Sequence, residues 1–192
     1  MISRVRSALC AVALILIVSS CAFAQFETSG RTRFGLRMVD YRPTSSALTA
    51  LSGNWLCPAL DWNLKFDDKD RPTQIVTLAL FSQDLGAHKA KMLPITFTMI
   101  RHSSKGDEPK GWYKGLGLGI YKCEYDAADY QAGQWANSSG TKLGFSLLAG
   151  YDFNEVWFAE IGYLFAGSIS NSVSGNVSFN GLSISAGTHV AF

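Results

Sequence analysis

Residues 58–66 read Pro58-Ala59-Leu60-Asp61-Trp62-Asn63-Leu64-Lys65-Phe66. Successive side chains of an extended chain point to opposite sides. Leu60, Trp62, Leu64 and Phe66 therefore share one face, and Ala59, Asp61, Asn63 and Lys65 share the other. In a soluble sheet the bulky face would meet a core. On a membrane barrel it meets lipid, and the polar face looks inward. The pattern recurs along the chain. Lys142–Tyr151 sets Leu143, Phe145, Leu147, Ala149 and Tyr151 on one face. Trp157–Phe165 sets Trp157, Ala159, Ile161, Tyr163 and Phe165 against Phe158, Glu160 and Gly162. Leu182–Phe192 sets Leu182, Ile184, Ala186, Val190 and Phe192 against Ser183, Ser185, Gly187 and His189. Leu116, Leu118 and Ile120 alternate with Gly115, Gly117 and Gly119. Weaker alternation runs through Arg31–Tyr41, Thr73–Ser82 and Met92–His102, where Pro94 requires a strand end or bulge.

These segments make about eight strands, the smallest usual number for a transmembrane barrel. No apolar run beyond residue 24 is long enough to span a bilayer as a helix. The predicted fold is all-β: an eight-stranded antiparallel up-and-down transmembrane β-barrel. With the N-terminus in the periplasm, the connections 42–56, 83–91, 124–140 and 167–178 face outside, and 67–72, 103–111 and 152–155 face the periplasm. Barrels of this kind carry long outer loops and short periplasmic turns. Only 103–111 is longer than that rule wants. Trp55, Trp112, Tyr113, Tyr121, Tyr151, Trp157 and Tyr163 lie near strand ends, where interfacial aromatic residues belong.

The N-terminus reads as an export signal. Arg4 and Arg6 precede the apolar run Leu9–Val18, and Ala22-Phe23-Ala24 fits a small-x-small cleavage site. Residues 1–24 are the expected signal peptide, with signal peptidase as a partner, and residues 25–192 the barrel domain. Val18-Ser19-Ser20-Cys21 offers a lipobox with acylation of Cys21 as the rival reading, although no polar tether follows. Cleavage removes two basic residues and no acidic one. The 17 Lys and Arg against 15 Asp and Glu then become 15 against 15, so no positive field remains to suggest nucleic acid.

Three stretches carry a family resemblance. The strand Gly115-Leu116-Gly117-Leu118-Gly119-Ile120-Tyr121, the turn Leu148-Ala149-Gly150-Tyr151-Asp152-Phe153-Asn154, and the closing strand ending in Phe192 resemble the small bacterial outer-membrane β-barrels that include OmpA-like and OmpW-like proteins. The resemblance implies a bacterial outer-membrane location and outer-membrane lipid as surroundings. It also implies the barrel-assembly machinery as a partner, with Phe192 as the terminal residue of the assembly signal. It transfers no catalytic or ligand-binding residue.

Arg33, Arg37, Asp61, Lys65 and Glu160 fall on polar strand faces. Inside a small barrel such charges must pair, so an interior ion-pair network is expected. Eight strands leave an interior just wide enough for side chains, which favours a filled plug over a conduit. The glycines at 115, 117 and 119 could widen one side or make room for long side chains from another strand. Cys57 opens the second strand and Cys123 closes the fifth, both at the outer rim, where a disulfide could join them or leave two separate thiols. Their spacing offers no metal site. His102-Ser103-Ser104 resembles the His-x-Ser pair of lipid A deacylases, but it sits at the periplasmic rim, lacks an evident orienting acid, and reads equally as a turn. The Gly-x-Gly-x-Gly run lacks the helix and acidic partner of a dinucleotide site. No cofactor or catalytic residue is assigned. The leading expectation is a non-enzymatic barrel with a structural or surface-interaction role. The alternatives are a lipid A acyl-chain-modifying enzyme, a narrow channel for small apolar compounds, and a soluble lipocalin-like barrel, against which the terminal Phe192 argues.

Overall fold

The computed structural model describes residues 33–67, 71–103, 110–129 and 133–191. The signal segment 1–24, residues 25–32 and Phe192 lie outside the described residues. The strands are β1 (Arg33–Pro43), β2 (Trp55–Phe66), β3 (Pro72–Ala79), β4 (Phe81–Leu85), β5 (His88–His102), β6 (Gly111–Asp129), β7 (Gln134–Asp152), β8 (Trp157–Phe165), β9 (Ser168–Asn171), β10 (Gly175–Ser178) and β11 (Gly181–Ala191). One short helix, α1 (Ser46–Thr49), lies between β1 and β2.

The sheet runs β3-β2-β1-β11-β8-β7-β6-β5, and β5 pairs back to β3. That closes an eight-stranded antiparallel barrel, as the alternation predicts. β3 and β4 are one strand of the wall interrupted at Leu80, and β4 pairs with β5 through the two-residue turn Gly86-Ala87. Gly86 there takes φ +65°, a conformation that favours glycine. β9 and β10 form a separate hairpin in the last outer connection.

Residues whose alternation is apolar-outward form a lipid belt. Leu60, Trp62, Leu78, Ile95, Phe97, Met99, Leu116, Leu118, Ile120, Leu143, Phe145, Leu147 and Ile161 are all exposed. On β6 this belt is bounded by Lys114 below and Lys122 above. Eight steps of ~3.4 Å from Lys114 to Lys122 give about 27 Å along the strand, or roughly 21 Å of height at the usual tilt of about 35–45°, a little under the typical apolar band of about 25 Å. Trp112 and Tyr151 stand edge to face at 5.1 Å just below it.

Two expected outer loops are mostly strand. β4 and β5 extend the wall through 83–91 except at the tight turn, and β6 and β7 occupy most of 124–140. Here the alternation reverses its sense. Lys91, Lys122, Glu124, Asn137, Ser139 and Thr141 face out, while Ala90, Met92, Tyr121, Cys123, Tyr125 and Ala127 are buried within. The barrel therefore continues past the bilayer as a sheet with a dry inner face.

Candidate functional site

The interior falls into two sections. In the membrane section it is polar. Arg37 on β1 registers with Ala59 of β2, and Asp61 with Gly35, so Arg37 and Asp61 are diagonal neighbours on the inner face. The Arg37 Nε donates to Asp61 Oδ2 at 2.7 Å, and its other guanidinium arm pairs with Glu160 of β8. Thr77 donates its hydroxyl to Asp61 Oδ1 at 2.6 Å, and Tyr113 donates to Glu160 Oε2 at 3.3 Å. The guanidinium carbon lies 5.2 Å from the centre of the Phe158 ring. Gly187 permits this: a Cβ there would stand 2.7 Å from both Arg37 Cβ and the Phe158 ring. One cation thus joins two carboxylates that are otherwise desolvated, the arrangement that makes a buried charge tolerable.

Three of the five charges expected inside meet in this way. Arg33 contributes its backbone to the β1–β2 ladder, and its side chain is not described. Lys65 is a correction. The register of β2 against β3 shifts between Asn63 and Lys65, a bulge that puts Leu64 and Lys65 both on the exposed side. The extra residue turns Lys65 away from the interior to which strict alternation assigned it.

The glycines of β6 make room for small side chains rather than arginines. A Cβ at Gly117 would fall 2.3 Å from Ser146 Oγ and 2.8 Å from Thr98 Oγ1. A cavity of about 70 Å³ remains in this section, bounded by Arg37, Glu160, Thr96, Thr98 and Ser146 and, above, by Phe81.

At the periplasmic end, a cluster forms that no local pattern reveals. His102 Nδ1 lies 3.5 Å from Asp152 Oδ2, and His189 Nε2 lies 3.8 Å from Asp152 Oδ1. These residues come from β5, β7 and β11. Asp152 is the acidic neighbour of His102 that the sequence did not display. The cluster does not complete a serine hydrolase. His102 Nε2 stands 2.9 Å from the Pro72 carbonyl oxygen, which can only accept, so that nitrogen is a donor and not the base a serine needs. Ser104 lies outside the described residues. Among the described residues no His, Cys, Asp or Glu cluster could hold a metal ion.

The outer section of the interior is apolar. Tyr41, Trp55, Phe81, Met92 and Tyr121 are almost wholly buried there, with Tyr41 packed on Trp55 at 5.6 Å and on Phe81 at 4.9 Å. Leu48 of α1 and Ile169, Val177 and Phe179 of the last outer connection join the same cluster. The Tyr41 hydroxyl donates to the Phe179 carbonyl at 2.6 Å, and Asn171 donates to the Ala136 carbonyl of β7 at 3.3 Å. The first and last outer connections are thereby fastened to the inside of the mouth. Cys57 and Cys123 sit in this cluster as free thiols rather than as a disulfide. β2 and β6 are separated in the wall by β3 and β5, which keeps the two residues on different parts of the barrel.

Residues 93–192 match the family model described as outer membrane protein beta-barrel domain. The chain belongs to this family of outer-membrane barrels. No curated protein sequence matches it. Among solved structures, it is similar in fold to Neisserial surface protein A, at 15% identity and TM-score 0.60, with 85% of this chain and 100% of that one covered. It is also similar to the N-terminal β-barrel domain of Pseudomonas aeruginosa OprF, at 11% identity and TM-score 0.54, with 84% and 100% covered. As a member of the family, the barrel is a bacterial outer-membrane protein, and the apolar belt described above is its lipid-facing surface.

Proposed function

We propose that this outer-membrane barrel has a structural or surface-interaction role and that its interior is closed to solutes. One observation carries the reading. Two seals of different chemistry lie in series, the Arg37–Asp61–Glu160 network in the membrane section and the aromatic cluster around Tyr41, Trp55 and Phe81 above it. The cavity between them is far smaller than the roughly 300–1,000 Å³ of a small-molecule site. Loops fastened over the mouth then present a fixed outer surface to ligands or neighbouring molecules. Signal peptidase at Ala24 and the assembly machinery at Phe192 are the proposed partners in export, with outer-membrane lipid as the solvent of the belt. The role proposed is non-enzymatic.

The test is conductance across a planar bilayer containing the refolded barrel. Silence at applied voltage is expected, and discrete conductance steps would overturn the closed-interior reading. A parallel incubation with lipid A should release no fatty acid. Release that disappears in His102→Ala would transfer the protein to the acyl-hydrolase reading.

A further inference from the structure

Arg101 of β5 stands directly opposite Lys114 of β6 on the outer face of the barrel, and both are exposed. Side chains so placed have Cβ atoms about 4.5–5.5 Å apart, and like charges at that separation repel. Neither has an ion-pair partner among the described residues. The outward residues next to them in the described ladders are Met99, Leu116, Trp112, Ala149, Tyr151 and, across to β3, Gln74, none of them acidic. The other outward lysines of the same strands have an acidic neighbour, Lys91 standing opposite Glu124. Lys122 has Glu124 at 3.0 Å, and Lys89 has Asp84 at 3.4 Å. Among the described residues, none offers a charge that offsets the repulsion between Arg101 and Lys114.

The register fixes their depth. Met99 and Leu116 form the last rung of the lipid belt, and Arg101 and Lys114 form the next rung toward the periplasm. The Trp112–Tyr151–Phe153 aromatic group lies immediately beyond, with ring spacings of 5.1 and 5.3 Å. The pair therefore lies in the headgroup plane of the inner leaflet, bracketed by an apolar surface for acyl chains and aromatic rings for the interface. A guanidinium supplies two parallel donors to one phosphate, and an ammonium adds a point charge to the same oxygens.

We propose that Arg101 and Lys114 form a docking site for the phosphate of an anionic glycerophospholipid of the inner leaflet. Two cations facing one phosphate leave an excess positive charge. That excess favours a headgroup with net negative charge over a zwitterionic one, whose ammonium would be repelled. The bound phosphate in turn relieves the repulsion between the two side chains.

Native mass spectrometry of the detergent-refolded barrel tests this with an equal mixture of phosphatidylglycerol and phosphatidylethanolamine carrying the same acyl chains. The wild type should retain phosphatidylglycerol roughly tenfold more than phosphatidylethanolamine. Arg101→Gln with Lys114→Gln removes both charges while keeping part of each aliphatic stem and should bring retention to parity, while Arg101→Lys should keep part of the preference. Lys91→Gln with Lys122→Gln, at the outer edge of the belt, should leave the preference unchanged. The proposal is overturned by a wild type without preference, by a double Gln variant that keeps it, or by its loss in the outer variant. Heat-modifiable gel mobility confirms that each variant is folded. Should the double variant fail that check, Lys114→Gln alone carries the test, with a reduced preference expected and an undiminished one overturning the proposal.

Discussion

Between Leu116 and Ile120, β6 turns leucine and isoleucine outward and glycine inward. Between Tyr121 and Ala127, the same strand turns Lys122, Glu124 and Asp126 outward and Tyr121, Cys123, Tyr125 and Ala127 inward. One continuous strand thus serves two solvents. Hydrocarbon outside requires apolar side chains there and leaves the interior for paired polar groups. Water outside requires the reverse, and the interior becomes a core like that of any soluble protein. Alternation alone does not say which sense applies. The position of the flanking charges does, because Lys114 and Lys122 mark where hydrocarbon ends.

The comparison is most sharply broken by removing a charge from the membrane section. Arg37→Ala leaves Asp61 and Glu160 buried without their cation, and a loss of about 3–5 kcal/mol is expected in urea unfolding of the refolded barrel. Asp61→Asn and Glu160→Gln added to Arg37→Met should recover most of it, which separates the charge from the space it fills. In the outer section the corresponding core change is Phe81→Ala, whose cavity should also remove about 3–5 kcal/mol. Loosening of the two fastened outer connections should accompany it, read as faster protease cleavage within 168–178. Equal protease resistance would mean that those connections are held without the aromatic core.

Outward substitutions sharpen the boundary. Leu118→Arg places a charge near the middle of the belt and should lower stability in lipid by about 2–4 kcal/mol. Ser139→Arg, on the outer face of β7, should change it by no more than about 0.5 kcal/mol. Equal effects in vesicles would show that the hydrocarbon boundary has been drawn at the wrong rung. The smallest effect is expected of Lys65→Ala. The bulge places Lys65 outside, so stability should stay within about 0.5 kcal/mol, whereas a loss near that of Arg37→Ala would return Lys65 to the interior.

Alternation made the membrane section legible, because Leu60, Trp62 and Leu64 can face only lipid or a core. It assigned Arg37, Asp61 and Glu160 to inner strand faces, and in the structure these three side chains meet. It misplaced Lys65, since nothing in Leu64-Lys65-Phe66 announces an inserted residue. It also ended the strands early. Lys89, Lys91, Glu124 and Asp126 resemble loop residues when apolar-outward alternation is sought, although Ala90, Met92, Cys123 and Tyr125 keep the period on the other face. The approach of His102, Asp152 and His189 depends on three strands distant in sequence, and only the closed barrel brings it about.

The two buried thiols have a consequence for the chain before it folds. Cys57 and Cys123 stand in the dry outer section, out of reach of oxidant or reagent once the barrel is closed. An unfolded chain in an oxidising compartment has no such protection, and its thiolates are open to mixed disulfides and to cross-linking with other chains. Closure of the barrel and oxidation of the thiols are therefore competing processes, and the faster one decides which molecules reach the membrane intact. Thiol reactivity becomes a clock for assembly: each molecule whose thiols are still reduced yet resist alkylation has already finished folding.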